Sequence, residues 1–186
     1  MKWLSHRVCR ILGWRFAGTV PDVPKMVIVG APHTSNWDFF LFLAALYHFD
    51  IRVKFLGKHT LFRWPFGWLF RRWGGVPVDR RRAAGVVDQV KQAFDDADEM
   101  ILVIAPEGTR GAARVWKSGF FEIADHVGVP VVPAGVDGAG KTVTIGPAQP
   151  VGLTRGELMD RLREFFAGKQ GVRPANAGTV RLGAER

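Results

Sequence analysis

The chain has 186 residues, 47% of them hydrophobic and 23% charged, with a formal net charge of +9. That length suits one domain with a substantial core, and that composition excludes disorder of the whole. A single cysteine, Cys9, excludes an internal disulfide and lacks the paired spacing of a zinc site, so a reducing compartment is the simpler reading. Excess positive charge alongside 14 Phe and 7 Trp calls for an anionic partner: nucleic acid, an anionic membrane, or phosphorylated substrates and acidic carrier proteins.

No run approaches 18 uninterrupted apolar residues. The richest segment, 26–49, is broken by Pro32, His33, Asn36 and Asp38. The N-terminus has no clean apolar stretch with a cleavage site. Within residues 1–16, Leu4, Val8, Ile11 and Leu12 share a helix face. Lys2, Arg7, Arg10 and Arg15 add charge, and Trp3, Trp14 and Phe16 add bulk. This pattern suits an amphipathic helix in segment 1–20, lying in a bilayer interface or against the domain.

Residues 26–29 form an apolar, β-branched run, a buried strand. The turn 30–35 follows, with Thr34 and Ser35 as N-caps of a helix over 36–48. Residues 53–56 read as a second strand. Residues 61–73 are aromatic, basic and broken by Pro and Gly, and fit neither period. Residues 76–78 read as an edge strand, since Pro77 cannot donate to a ladder. Ala83, Val87, Val90, Phe94 and Ala97 mark a helix. Strands are expected at 100–105, 129–136 and 142–145, and a helix at 119–127. Thr154 and Glu157 form a capping-box pattern opening a last helix with Leu158, Leu162, Phe165 and Phe166 on one face. From residue 169 the chain is Gly-, Ala- and Arg-rich and reads as a flexible tail.

Alternating strands and helices imply an α/β domain over 21–168, with a mostly parallel or mixed sheet flanked by helices. Sites in such folds gather on loops leaving the carboxyl ends of strands, here the loops after residues 29 and 104. The first holds His33 and Asp38. Five residues along a regular helix put two side chains about 140° apart. They meet only if His33 lies in the turn, before the helix. A carboxylate on one imidazole nitrogen then leaves the other free to take a proton from a hydroxyl. The second loop is Glu107-Gly108-Thr109-Arg110, where glycine permits close backbone approach and Arg110 can fork two hydrogen bonds to a phosphate. Lys117 and Ser118 lie close behind. No Ser or Cys occupies a nucleophile elbow, there is no dinucleotide or Walker motif, and no carboxylate cluster suggests a metal. A base without a protein nucleophile points to direct transfer onto a substrate hydroxyl.

Four blocks occur in order: 31–38 (Ala-Pro-His-Thr-Ser-Asn-Trp-Asp), Gly57-Lys58 with 61–68, Pro106 through Arg110, and Val131-Val132-Pro133. Together they resemble the glycerolipid acyltransferase family, which includes 1-acyl-glycerol-3-phosphate acyltransferases. The H-x4-D block and the P-E-G-T-R block are specific as a pair, and the compact form resembles a bacterial subgroup. The resemblance implies a glycerol-3-phosphate acyltransferase-like α/β fold on the membrane face. It implies that His33 deprotonates the acceptor hydroxyl, which attacks the thioester of acyl-CoA or acyl carrier protein, and that Asp38 orients His33. It assigns Lys58, Arg63, Glu107, Gly108, Thr109 and Arg110 to the phosphorylated lyso-lipid acceptor and Pro133 to the acyl side; Lys117, by its place just before the next helix, is expected to add to the same anion site. No cofactor is expected beyond the acyl donor. Pro32 stands where family members often carry Asn, and the chain lacks a long apolar N-terminal extension. Lysophosphatidic acid is the default acceptor; a lyso-ornithine lipid, or a non-catalytic lipid- or nucleic-acid-binding module on the same fold, are the alternatives.

Arg63, Arg71, Arg72, Arg80, Arg81 and Arg82 share a short stretch with Trp64, Phe66, Trp68, Phe70 and Trp73. Basic side chains favour an anionic leaflet and Trp favours the headgroup level. With no nucleic-acid motif present, a peripheral position on the cytoplasmic face of the cell membrane is expected, without nucleic acid. Acyl length, donor type and oligomeric state are left open.

Overall fold

The computed structural model describes residues 7, 9–78, 83–111 and 113–185. Among these, seven strands form one sheet: β1 (Arg15–Ala17), β2 (Lys25–Ala31), β3 (Lys54–Lys58), β4 (Gly75–Val78), β5 (Met100–Ile104), β6 (Val131–Asp137) and β7 (Thr142–Ile145). The helices are α1 (Trp37–Phe49), α2 (Gly67–Arg72), α3 (Ala83–Asp95), α4 (Gly119–Val127) and α5 (Arg155–Phe166). The sheet order is β1-β7-β6-β2-β5-β3-β4. All pairings are parallel except β6 with β7. The expected α/β class and mixed sheet are thus observed.

β2 is apolar from Met26 onward because both its faces are covered. Successive side chains point to opposite faces of a strand. Val27, Val29 and Ala31 join Phe94 of α3, Phe120 and Ile123 of α4, and Met159, Leu162 and Phe166 of α5 in one core. Met26 and Ile28 join Val132 and Ile145 on the other face, against Phe49 and Ile51. Pro77 sits in β4 at the sheet edge, where a missing N–H costs least.

The chain leaves β2 through α1 toward β3 on one side, and leaves β5 through α4 toward β6 on the other. The loops after β2 and β5 therefore diverge between adjacent strands. The carboxyl edge at such a divergence is where α/β folds bind their ligands.

Four expectations change. Residues 7 and 9–11 are helical, but the helix cannot extend to 16, because Arg15–Ala17 is a strand paired with β7. Phe16 stacks on His48 of α1, with ring centroids 4.6 Å apart. Lys2, Trp3, Leu4 and Val8 lie outside the described residues. The cap of α1 is Asn36, not Thr34 or Ser35, although Ser35 Oγ accepts the Trp37 N–H at 2.9 Å. Residues 61–73 resolve into a 3-10 turn, His59–Phe62, and the short α2. Residues 169–185, expected as a tail, return across the domain. Leu182 is buried and bridges Trp116, while Arg163 of α5 holds Glu185 at 3.0 Å. The Gly- and Ala-rich composition conceals apolar anchors, Val180 and Leu182, that join the core beside α5. By contrast, the capping box at Thr154 and Glu157 forms as expected.

Candidate active site

His33 lies in the turn between β2 and α1, off the helix, as the spacing requires. Its Nδ1 is 3.3 Å from Asp38 Oδ2. Asp38 is in the first turn of α1 and buried, while the His33 side chain is about one-third exposed. Asp38 Oδ2 also accepts the backbone N–H groups of Thr34 and Ser35, at 2.5 and 2.7 Å. The carboxylate thereby folds the turn back over the helix start and brings the imidazole to itself. With Nδ1 facing the carboxylate, Nε2 is the ring nitrogen left without that partner. Asp38 Oδ1 is buried without a hydrogen-bond partner among the described residues.

Glu107 follows β5 and is buried. Its Oε2 accepts the His33 N–H at 2.6 Å, and the Gly178 backbone is a further partner. Burial pushes its pKa up, opposed by the His33 N–H, the charge of His33 and the Gly178 bond, with Asp38 adding to the rise. Glu107, expected among the acceptor-binding residues, is buried and ties the β5 loop to the turn that bears His33.

Gly108 has φ +65°, and a Cβ there would lie 2.9 Å from Lys117 Cε. Glycine thus lets the loop turn and lets Lys117 lie over it. Arg110 is exposed and donates from a guanidinium nitrogen to Asn36 Oδ1, three residues after His33. This bond joins the β5 loop to the start of α1, next to the turn that carries His33. Thr109 is on the same loop, its Oγ1 accepting the Gly111 N–H at 3.3 Å. Lys58 ends β3 and Arg63 follows the 3-10 turn; both are exposed at the carboxyl side of the sheet. Pro133 is buried within β6, opposite Val29 of β2.

Beyond Arg63 the expected basic and aromatic stretch divides. Trp64 is 92% exposed, and Phe66 and Trp68 are also exposed, as are Trp37 and Phe40 of α1. Phe70 and Trp73 instead pack against Phe39. Arg71 lies over the Phe62 ring at 5.4 Å. Arg80, Arg81 and Arg82 lie outside the described residues. Among the described residues no helix is long and apolar enough to cross a membrane.

The description "Acyltransferase" is that of the family model that matches residues 17–137, which span every site residue up to Pro133. This chain belongs to the acyltransferase family. A chloroplastic 1-acyl-sn-glycerol-3-phosphate acyltransferase of Brassica napus is 34% identical over 119 residues, covering 61% of this chain and 35% of that protein. Its counterpart in Arabidopsis thaliana is 33% identical over 62% of this chain and 34% of that protein. One from Chlamydomonas reinhardtii is 29% identical over 83% of this chain and 55% of that protein. The chain thus spans about a third of the length of the two plant relatives. The crystal structure of the 1-acyl-sn-glycerophosphate acyltransferase of Thermotoga maritima superposes with a TM-score of 0.60 at 20% identity, covering 88% of this chain and 74% of that one, which establishes the shared fold.

Proposed function

We propose that this acyltransferase moves a fatty acyl group from a thioester, acyl-CoA or acyl carrier protein, to the free hydroxyl of 1-acyl-glycerol-3-phosphate. The observation that carries the reading is the His33–Asp38 pair at the carboxyl edge of the sheet, with Arg110 bonded to Asn36 two residues before Asp38. His33 Nε2 takes the hydroxyl proton as the oxygen attacks the thioester carbonyl. The C–O bond forms, the C–S bond breaks, and the imidazolium returns its proton to the departing thiolate. Asp38 orients the ring and stabilises its charged form. Arg110 offers the phosphate a fork of donors, and Lys117, Lys58 and Arg63 add positive field along the same edge. No covalent acyl-enzyme and no cofactor enter the scheme.

Such an acceptor resides in a bilayer. Exposed Trp64, Phe66 and Trp68 beside Arg63, Arg71 and Arg72 support a peripheral position on the anionic cytoplasmic face of the cell membrane. Wild type and His33→Ala are compared in a panel of donors and acceptors, read as thioester loss and ester formation. Transfer to lysophosphatidic acid that disappears in His33→Ala is expected. Transfer that survives the substitution overturns the mechanism. Transfer only to another lyso-lipid, such as a lyso-ornithine lipid, overturns the acceptor.

A further inference from the structure

We infer that segment 171–178 is a strap that positions the catalytic turn, and that Asn176 is a positioning residue for His33. The inference rests on the reading of His33 as the general base. Thr34, the residue after His33, is almost fully buried, and all of its polar atoms are occupied. Its N–H goes to Asp38. Its Oγ1 accepts the Arg173 N–H at 3.1 Å. Its carbonyl accepts from Asn176 Nδ2 at 2.9 Å. The residue before Thr34 is tied to the same segment by a second route, since Glu107 accepts from His33 N–H and pairs with the Gly178 backbone.

The strap has its own anchors. The Gly171 N–H donates to Val136 O at the end of β6, at 3.1 Å. A Cβ on Gly171 would lie 2.7 Å from Thr34, so glycine is what allows this approach. Asn176 ends a 3-10 turn, Pro174–Asn176, that fixes where its amide points. Downstream, Thr179 N–H reaches Ala113 O, and Trp116 N–H reaches Arg181 O at 2.7 Å. The turn bearing His33 is thus gripped from the helix side by Asp38 and from the opposite side by the strap. Asp38 alone fixes one edge of the peptide; Asn176 fixes the other. Small displacements of a reacting group carry large rate penalties.

The test uses the full chain with Asn176→Ala, Asn176→Asp (same shape, no donor) and Asn176→Gln (donor restored), alongside His33→Ala. Kinetics use acyl-CoA with lysophosphatidic acid, and hydrogen exchange follows the peptide covering 31–38 without any substrate. The Ala and Asp variants should lose about tenfold in kcat with both KM values within twofold, and Gln should recover part of the loss. Exchange in 31–38 should quicken while 119–127 stays protected. Wild-type kcat with a protected 31–38 peptide in Asn176→Ala overturns the strap. So does exchange that rises across the whole chain with no recovery by Gln, which marks a purely structural role. Activity retained by His33→Ala overturns the base instead, and the exchange result still judges the strap.

Discussion

His33 Nδ1 and Asp38 Oδ2 are 3.3 Å apart although four residues and a helix start lie between them. The contact exists because Asp38 accepts two backbone N–H groups from the very turn that carries the histidine. The same oxygen therefore builds the turn and orients the imidazole. His33→Ala should lower acyl transfer by about 10²–10⁴-fold, the usual worth of a positioned base. Asp38→Asn keeps an oxygen for the turn but removes the charge, so a loss of similar order with little change in acceptor KM is expected. Thioester consumption under saturating donor checks both.

Glu107 makes a prediction about pH. Its pKa is raised in the fold, chiefly by burial, so the folded state holds this proton more tightly than the unfolded chain. The stability it contributes is present below the unfolded carboxylate pKa and is lost as pH rises through the folded value. Glu107→Gln should remove that dependence. The difference in Tm between wild type and variant, followed from pH 4 to 7, should move against wild type as pH rises. A difference that is flat or of opposite slope contradicts the assignment.

Arg110 reaches Asn36 from an exposed position, leaving other guanidinium donors for a phosphate. Arg110→Lys keeps the charge but loses the fork. The acceptor KM should rise about tenfold or more, with kcat changed far less. Arg110→Ala should be worse on the same parameter. Initial rates against acceptor concentration separate the two effects.

At Gly108 the backbone has φ +65° and Lys117 covers the α-carbon. Gly108→Ala should cost about 1 kcal/mol in backbone strain and displace Lys117 as well. Denaturant unfolding gives the first effect, and a raised acceptor KM reports the second.

The exposed aromatics predict membrane behaviour. Trp64→Ala with Trp68→Ala should weaken flotation on vesicles containing anionic lipid, and added salt should weaken binding of the wild type. Retained flotation in the double variant would assign the docking role elsewhere.

Much of this architecture is legible in local pattern. The strand 26–29 and the helix at 119–127 follow from short-range periodicity, and the dyad from the requirement that His33 precede its helix. What pattern does not reveal is whatever depends on distant partners. The bond from the His33 N–H to Glu107, 74 residues further on, has no trace in local pattern. Asn176 sits in a Gly- and Ala-rich stretch with no period at all, and only its bond to Thr34 gives it meaning. The basic and aromatic stretch reads as one surface, yet Phe39 draws Phe70 and Trp73 inward and leaves Trp64 and Trp68 outside.

The central place of β2 bears on how the molecule comes into being. Its two neighbours pair with it from far along the chain, Lys25 with Met100 and Val27 with Val131. Such contacts close large loops and form slowly. The turn after β2 stands on a floor that exists only once both neighbours have arrived. Catalytic competence is therefore a late property of folding, and regained activity on refolding follows completion of the sheet rather than the appearance of helix.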